Sequence, residues 1–190
     1  EAAVVIGQGN VAMDVARMLA KTVAEIEPTD TAPHALAAFA KSKVKDVYIV
    51  GRRGPAQAKF TTPELRELCE LAEADLVLQE SDLVLSAADE EELKDPANSA
   101  SAKNVELMKE HVKAHPAGSG KKPRRVHLMF RLGPTKIEEK NGKVGAIVLE
   151  KNRLEGKANN QKAVGTGETL TVPCGLVFRS VGYKGKGIPG

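Results

Sequence analysis

Two hydrophobic periodicities take turns along the chain. The run Ala2 to Ile6 is apolar at every position, rich in β-branched residues and ended by Gly7, which predicts a parallel strand buried on both faces. From Asn10 to Lys21 the apolar residues Val11, Val15, Met18 and Leu19 recur at helical spacing, which predicts an amphipathic helix. Residues 25–32 (EIEPTDTA) read as a loop, in which Asp30 or Thr31 caps a second helix carrying Leu36, Ala37, Phe39 and Ala40. Lys45 to Val50 is a second strand, closed by the turn-forming Gly51-Arg52-Arg53-Gly54-Pro55. Thr61-Thr62-Pro63-Glu64 opens another helix, with Leu65, Leu68, Cys69 and Ala72 on one face, and residues 75–79 (DLVLQ) form a third strand.

Residues 82–122 break this rhythm and read as an insertion. They hold an acidic run from Asp89 to Glu92 suited to the start of a helix, a helix from about Lys103 to Val112, and a flexible HPAGSGKKP segment. Strands return with residues 126–132 (VHLMFRL). Residues 136–140 and 143–156 then flank Asn141-Gly142, a type I′ hairpin signal. Residues 157–168 read as a polar surface loop, and residues 169–172 and 176–183 complete the set. Alternating β and α units followed by a β-meander predict an α/β fold: a parallel sheet with helices on one side and an antiparallel sheet on the other, three layers in all.

Composition adds mainly exclusions. The 190 residues, 42% of the AVILMFWYC class and 28% charged, are sufficient for one domain spanning 1–190 with a real core. No apolar run approaches the roughly 18 residues of a membrane span. A net charge of +3, no Trp and 3% aromatic residues argue against a nucleic-acid partner. Cys69 and Cys174 stand alone, and His34, His111, His115 and His127 lack ligand spacing, so neither a disulfide framework nor a metal site is expected. Gly118-Ser119-Gly120-Lys121-Lys122 fails the phosphate-loop pattern, and Lys121 to Arg125 (KKPRR) reads as a solvated basic loop.

Candidate chemistry gathers at the first strand–helix junction. Gly7-Gln8-Gly9-Asn10-Val11-Ala12 matches G-x-G-x-x-[G/A] in its required context, after a strand and opening a helix. Gly7 permits the tight turn, Gly9 admits a pyrophosphate against the backbone, and Ala12 lets helix and strand approach. The helix N-terminus then receives the anion. The fold is therefore expected to be a Rossmann-like NAD(P)-binding domain. The second strand ends in Arg52-Arg53 with no carboxylate, which favours the 2′-phosphate of NADP(H) over the free ribose of NAD. This strand end follows Gly9 by about 43 residues, roughly twice the usual interval, and the second helix accounts for the excess.

GQGNVAMDVAR, TDTAPHAL, VGRRGPAQAKFTTPELREL and the terminal VFRSVGYKG together resemble adrenodoxin reductase and its bacterial ferredoxin–NADP reductase relatives, over nearly the whole chain. The resemblance implies the NADPH-binding domain of an FAD-dependent oxidoreductase that passes electrons from NADPH through flavin to a ferredoxin- or adrenodoxin-type iron–sulfur protein. It assigns Gly7, Gln8, Gly9, Asn10 and Val11 to the pyrophosphate, Arg52 and Arg53 to the 2′-phosphate, and Glu64 to the nicotinamide half. It makes Glu67 a catalytic carboxylate beside the nicotinamide, paired with a His of the FAD domain, and Asp14 an acidic residue of the same region. No second G-x-G-x-x-G is present for FAD, and the abrupt start reads as an excised middle domain, expected to hold NADPH and to be inactive alone. Eukaryotic members of the family are mitochondrial and bacterial ones cytoplasmic. Two alternatives stay open: an NADP(H)-responsive binding module without redox chemistry, and a glutamate-synthase-like flavoprotein subunit.

Overall fold

The computed structural model describes residues 1–183, Gly185 and Gly187; Lys184, within the terminal VFRSVGYKG motif, lies outside the described residues. Five strands, β1 (Ala2–Ile6), β2 (Asp46–Val50), β3 (Ala74–Val77), β4 (Arg124–Met129) and β8 (Leu176–Arg179), form a parallel sheet in the order β3-β4-β2-β1-β8. Three longer strands, β5 (Leu132–Lys140), β6 (Lys143–Glu155) and β7 (Lys162–Pro173), form an antiparallel sheet. The helices are α1 (Asn10–Ala20), α2 (Val23–Ile26), α3 (Pro33–Ala40), α4 (Thr62–Cys69), α5 (Ala87–Lys94) and α6 (Ser99–Ala114). The unbroken apolar run of β1 has a direct cause. Ala3 and Val5 enter a core shared with Met13, Leu65, Leu68 and Met108 of the helices, whereas Val4 enters a second core with Ile147, Leu149 and Val172 of the antiparallel sheet. Side chains alternate across a strand, so a sheet covered on both faces requires apolar residues at every position. The expected ββα layering is present.

Several local expectations give way. The stretch 126–132 is two strands, because Arg131 takes a left-handed conformation (φ 54°) and turns the chain from the parallel into the antiparallel sheet. Thus β4 and β8 belong to the parallel sheet, and only β5–β7 form the meander. Residues 162–168 are part of β7 rather than of a loop; Lys162–Gly165 pair with Glu155–Asn152. That end of the hairpin is largely solvated, so its sequence carries no sustained apolar–polar alternation to read. A short helix, α2, interrupts the expected loop, closed by a capping box in which Glu25 accepts from the Thr22 amide at 2.8 Å. Helix α3 starts at Pro33 and is flanked by Ala32, not by Asp30 or Thr31; the Thr31 hydroxyl is engaged with Thr29 at 2.7 Å. Helix α4 ends at Cys69, so Leu71 rather than Ala72 is buried.

Segment 82–122 is built into the helical layer. Val105 and Met108 of α6 are buried in the main core, and buried Asn104 accepts from Thr62 Oγ1 at 2.7 Å and donates to the Phe60 carbonyl at 2.9 Å, holding the start of α4. The basic KKPRR run is a clamp. Arg124 donates to the carbonyls of Ala20 and Lys21 at the end of α1, Lys122 to those of Leu71 and Ala74, and Arg125 pairs with Asp46 at 2.7 and 3.0 Å. Cations suit helix C-termini because unpaired carbonyls and the dipole make those ends negative. His127 is structural, bonded to Asp46 at 3.0 Å and stacked on Tyr48. His111 is half-buried, with Nε2 3.0 Å from the Leu76 carbonyl.

Candidate functional site

The strand connections diverge at β1. From its end the chain runs through α1 toward β2 on one side, whereas β4 returns through the antiparallel sheet to β8 on the other. In open α/β sheets the crevice at such a switch point, beyond the carboxyl ends of the strands, receives ligands. Gly7 lies there with φ 131°, and a β-carbon on it would sit 2.0 Å from the Ser180 carbonyl oxygen at the end of β8. No other residue fits. Gly9 is the opposite case: its φ of −108° suits any residue and a β-carbon would meet nothing within 4 Å. Packing within the chain does not require that glycine; open space over a helix start does fit a phosphate laid against the backbone. The Gly9 carbonyl receives the amides of Ala12 and Met13 at 3.0 and 3.2 Å, and the first amides of α1, those of Asn10 and Val11, have no intrahelical acceptor.

Gln8 and Asn10 are fastened by their side chains. Gln8 Nε2 donates to the Met129 carbonyl at 2.8 Å and its amide lies where a β-carbon on Gly51 would be, so Gln8 locks the glycine loop to the ends of β2 and β4. Any contact it makes with an anion falls to its backbone. Asn10 Oδ1 accepts from the Thr61 amide at 2.9 Å, tying the start of α1 to the start of α4. The side chain of Val11 is exposed beside the loop.

Arg52 and Arg53 follow β2 after a single glycine, Gly51. Their carbonyls are satisfied by Asn152 Nδ2 at 3.0 Å and by the Arg131 amide at 2.9 Å, which fixes the turn onto the antiparallel sheet. Among the described residues neither guanidinium has a carboxylate partner or a hydrogen bond, whereas Arg17, Arg125 and Arg153 pair with carboxylates. Two adjacent unpaired forks on an anchored turn are suited to bidentate binding of a phosphate.

Helix α4 supplies the carboxylates. Glu64, in its first turn, buries Oε2, which has no hydrogen-bond partner among the described residues. An orphaned buried oxygen costs about 1–3 kcal/mol, and a ligand donor would relieve it. Glu67 faces outward and pairs with Arg17, which also holds Asp14 at 2.7 Å. The structure therefore gathers the two expected catalytic carboxylates on one guanidinium. With all three side chains partly exposed, this ion-pair set contributes little to stability. Cys69 is no nucleophile: burial pushes its thiol up to about 11. Among the described residues no group of three or more His, Cys, Asp and Glu side chains can hold a metal, and no helix is long and apolar enough to cross a membrane.

Sequence reasoning missed a buried polar network behind the arginine turn. Asp89 and Glu92 of α5, with Gln57 and Gln161, are all under 8% exposed. Gln57 Nε2 and Gln161 Nε2 each donate to Asp89 Oδ1 at 2.8 Å, and Asp89 Oδ2 also accepts from Ser86. Burial alone would raise the Asp89 carboxyl, but the bonds from Ser86, Gln57 and Gln161 outweigh it and hold the group below its ordinary range. A depressed folded value contributes stability that is present above the unfolded pKa, near 3.9, and is lost as pH falls through the folded one. In urea unfolding, Asp89→Asn should therefore lower the midpoint at pH 7, and the two midpoints should converge as the pH falls through the folded value of Asp89. A gap independent of pH would contradict this.

The fold and crevice define a Rossmann-like α/β domain of the dinucleotide-binding kind. No family model matches the chain. Its homologues are adrenodoxin reductases and FprA-type ferredoxin reductases. It is 38% identical over 189 residues to the mitochondrial NADPH:adrenodoxin oxidoreductase of Arabidopsis thaliana, covering 97% of this chain and 39% of that protein. It is 40% identical over 192 residues to the NADPH-ferredoxin reductase FprA of Mycobacterium tuberculosis, covering 99% of this chain and 40% of that one. The solved structure of Mycobacterium tuberculosis FprA in complex with NADPH superposes with a TM-score of 0.86 at 38% identity, covering all of this chain and 40% of that chain. The chain thus spans about 40% of the length of these relatives.

Proposed function

We propose that this chain is the NADPH-binding domain of an FAD-dependent ferredoxin- or adrenodoxin-type NADP reductase. The observation that carries the reading is the pair of guanidiniums, Arg52 and Arg53, unpartnered among the described residues, on an anchored turn beside a glycine loop whose Gly9 has open space over it among those residues. The homology to NADPH-dependent reductases supports it. Bound NADPH supplies a hydride to FAD, which is held outside this chain. The residues present do the holding. The helix-start amides of Asn10 and Val11, with the backbone of Gly7 to Gly9, receive the pyrophosphate, and Arg52 and Arg53 hold the 2′-phosphate. Glu64 offers its unpaired oxygen to the nicotinamide half. Glu67 and Asp14, steadied by Arg17, supply carboxylates for proton management in that region. Electrons pass to a ferredoxin- or adrenodoxin-type iron–sulfur protein in the full-length enzyme, and the domain alone is inactive because it lacks the flavin site. The enzyme works in the mitochondrion if its source is eukaryotic, and in the cytoplasm if bacterial.

Calorimetric titration of the chain tests the central claim. NADPH should bind more tightly than NADH by at least tenfold, since charge-assisted contacts contribute about 1.5–3 kcal/mol each. Equal affinities would overturn the NADP assignment.

A further inference from the structure

The turn that carries Arg52 and Arg53 is held from behind by two hydrogen-bond routes, both starting in segment 82–92. In the first, Asp89 Oδ1 accepts from Gln57 Nε2 at 2.8 Å, and Gln57 Oε1 accepts from the amide of Gly54, the residue after Arg53, at 3.1 Å. In the second, the carbonyls of Asp82 and Val84 accept from the Arg131 guanidinium at 3.1 and 2.6 Å, and the Arg131 amide donates to the Arg53 carbonyl at 2.9 Å. The first route is almost fully buried, with Asp89 1% and Gln57 4% exposed. Its amide orientation is forced: oxygen toward an N–H and nitrogen toward two carboxylates is the only arrangement that satisfies every partner.

Burying a carboxylate and an amide is expensive, and a well-packed apolar cluster of similar volume would serve stability as well or better. What an apolar cluster lacks is direction. A hydrogen-bonded route sets the position of the Gly54 amide, and with it the backbone from which the two arginines project. Bidentate recognition of a phosphate needs donors within about 0.5 Å of their place, and long side chains reach that only from a fixed backbone. Resting on the NADPH reading above, we propose that Gln57, Asp89 and Arg131 are positioning residues for 2′-phosphate recognition, acting through the Arg52–Arg53 turn rather than on the ligand. Segment 82–92 is then a buttress of the specificity site.

The test measures calorimetric dissociation constants of the whole chain for NADPH, NADH and adenosine 2′,5′-bisphosphate. Gln57→Met keeps the side chain's length and removes its three hydrogen bonds, to the Gly54 amide, Asp89 and Glu92. Arg131→Met cuts the second route at a residue outside the core, so at least one variant remains folded, as thermal melting will establish. The expected result is an affinity about tenfold weaker for NADPH and for the bisphosphate, with NADH moved less than twofold. In an Arg52→Ala/Arg53→Ala background the same substitutions should leave the NADPH to NADH ratio unchanged. A purely structural role would weaken both cofactors alike. If folded Gln57→Met and Arg131→Met chains keep the native ratio, or if their effect persists without the arginines, the positioning role is overturned and the NADPH reading stands. If the native chain itself has no preference for NADPH, the reading and this inference fall together.

Discussion

Replacing Arg52 and Arg53 together with alanine should abolish the preference for NADPH. Two charge-assisted contacts of about 1.5–3 kcal/mol each bound the effect, and because Arg52 is exposed and screened the lower end applies, a loss on the order of a hundredfold. The affinity for NADH should move by less than about twofold, because neither guanidinium has a hydrogen bond within the described residues whose loss could disturb the fold. Calorimetry with both cofactors reads the two numbers side by side. A double variant that still favours NADPH would place the 2′-phosphate somewhere else on the molecule.

Two single-methyl changes in the glycine loop should separate folding from binding. Gly7→Ala demands a side chain at φ 131° with its β-carbon 2.0 Å from the Ser180 carbonyl oxygen. The backbone strain costs about 1–3 kcal/mol, and relieving the overlap pushes β8 away from β1, breaking the 2.8 Å bond from the Ser180 amide to the Ile6 carbonyl. A destabilisation above about 4 kcal/mol in urea unfolding is expected. Gly9→Ala has neither problem, since its φ of −108° is permitted and its β-carbon meets nothing. Its stability should change by less than about 1 kcal/mol, the difference between glycine and alanine at a helix N-cap. Its NADPH binding should nevertheless fall by tenfold or more, because the methyl would occupy the approach to the helix-start amides. Undiminished binding by Gly9→Ala would remove the pyrophosphate from this loop.

Much of the site was legible because its signals are local. A strand that ends in glycine, a helix that begins three residues later and an arginine pair after the next strand depend on backbone rules that neighbouring residues obey or break. The type I′ turn at Asn141-Gly142, with φ of 55° and 74°, and the helix opened at Thr61 follow for the same reason, whereas α1 buries Ala12, Met13, Ala16 and Ala20 and leaves the expected core residue Val11 exposed. Signals spread across space were not legible. Nothing local marks the short run Lys162–Gly165 as strand, because the partner that makes it one, Asn152–Glu155, lies across a connecting loop and neither segment is fully buried. The acidic run of α5 suited a solvated helix start, yet Asp89 and Glu92 are buried because Gln57 and Gln161, far away in sequence, bring donors to them.

The chain's opening run and its glycine loop by themselves determined that a dinucleotide-type crevice would form, since periodicity and glycine placement constrain each element before anything packs. Only the tertiary structure decided what surrounds that crevice. It put β8 beside β1 and so made Gly7 obligatory, turned KKPRR from a loose basic loop into a clamp on α1, and drew Asp14 and Glu67 onto one arginine. It also anchored the backbone of Arg52 and Arg53 through Asn152 and the Arg131 amide, while among the described residues their guanidiniums keep no partner. Partners distant in the chain meet through packing, and the charges and oxygens left unpaired after that meeting are the ones available to a ligand.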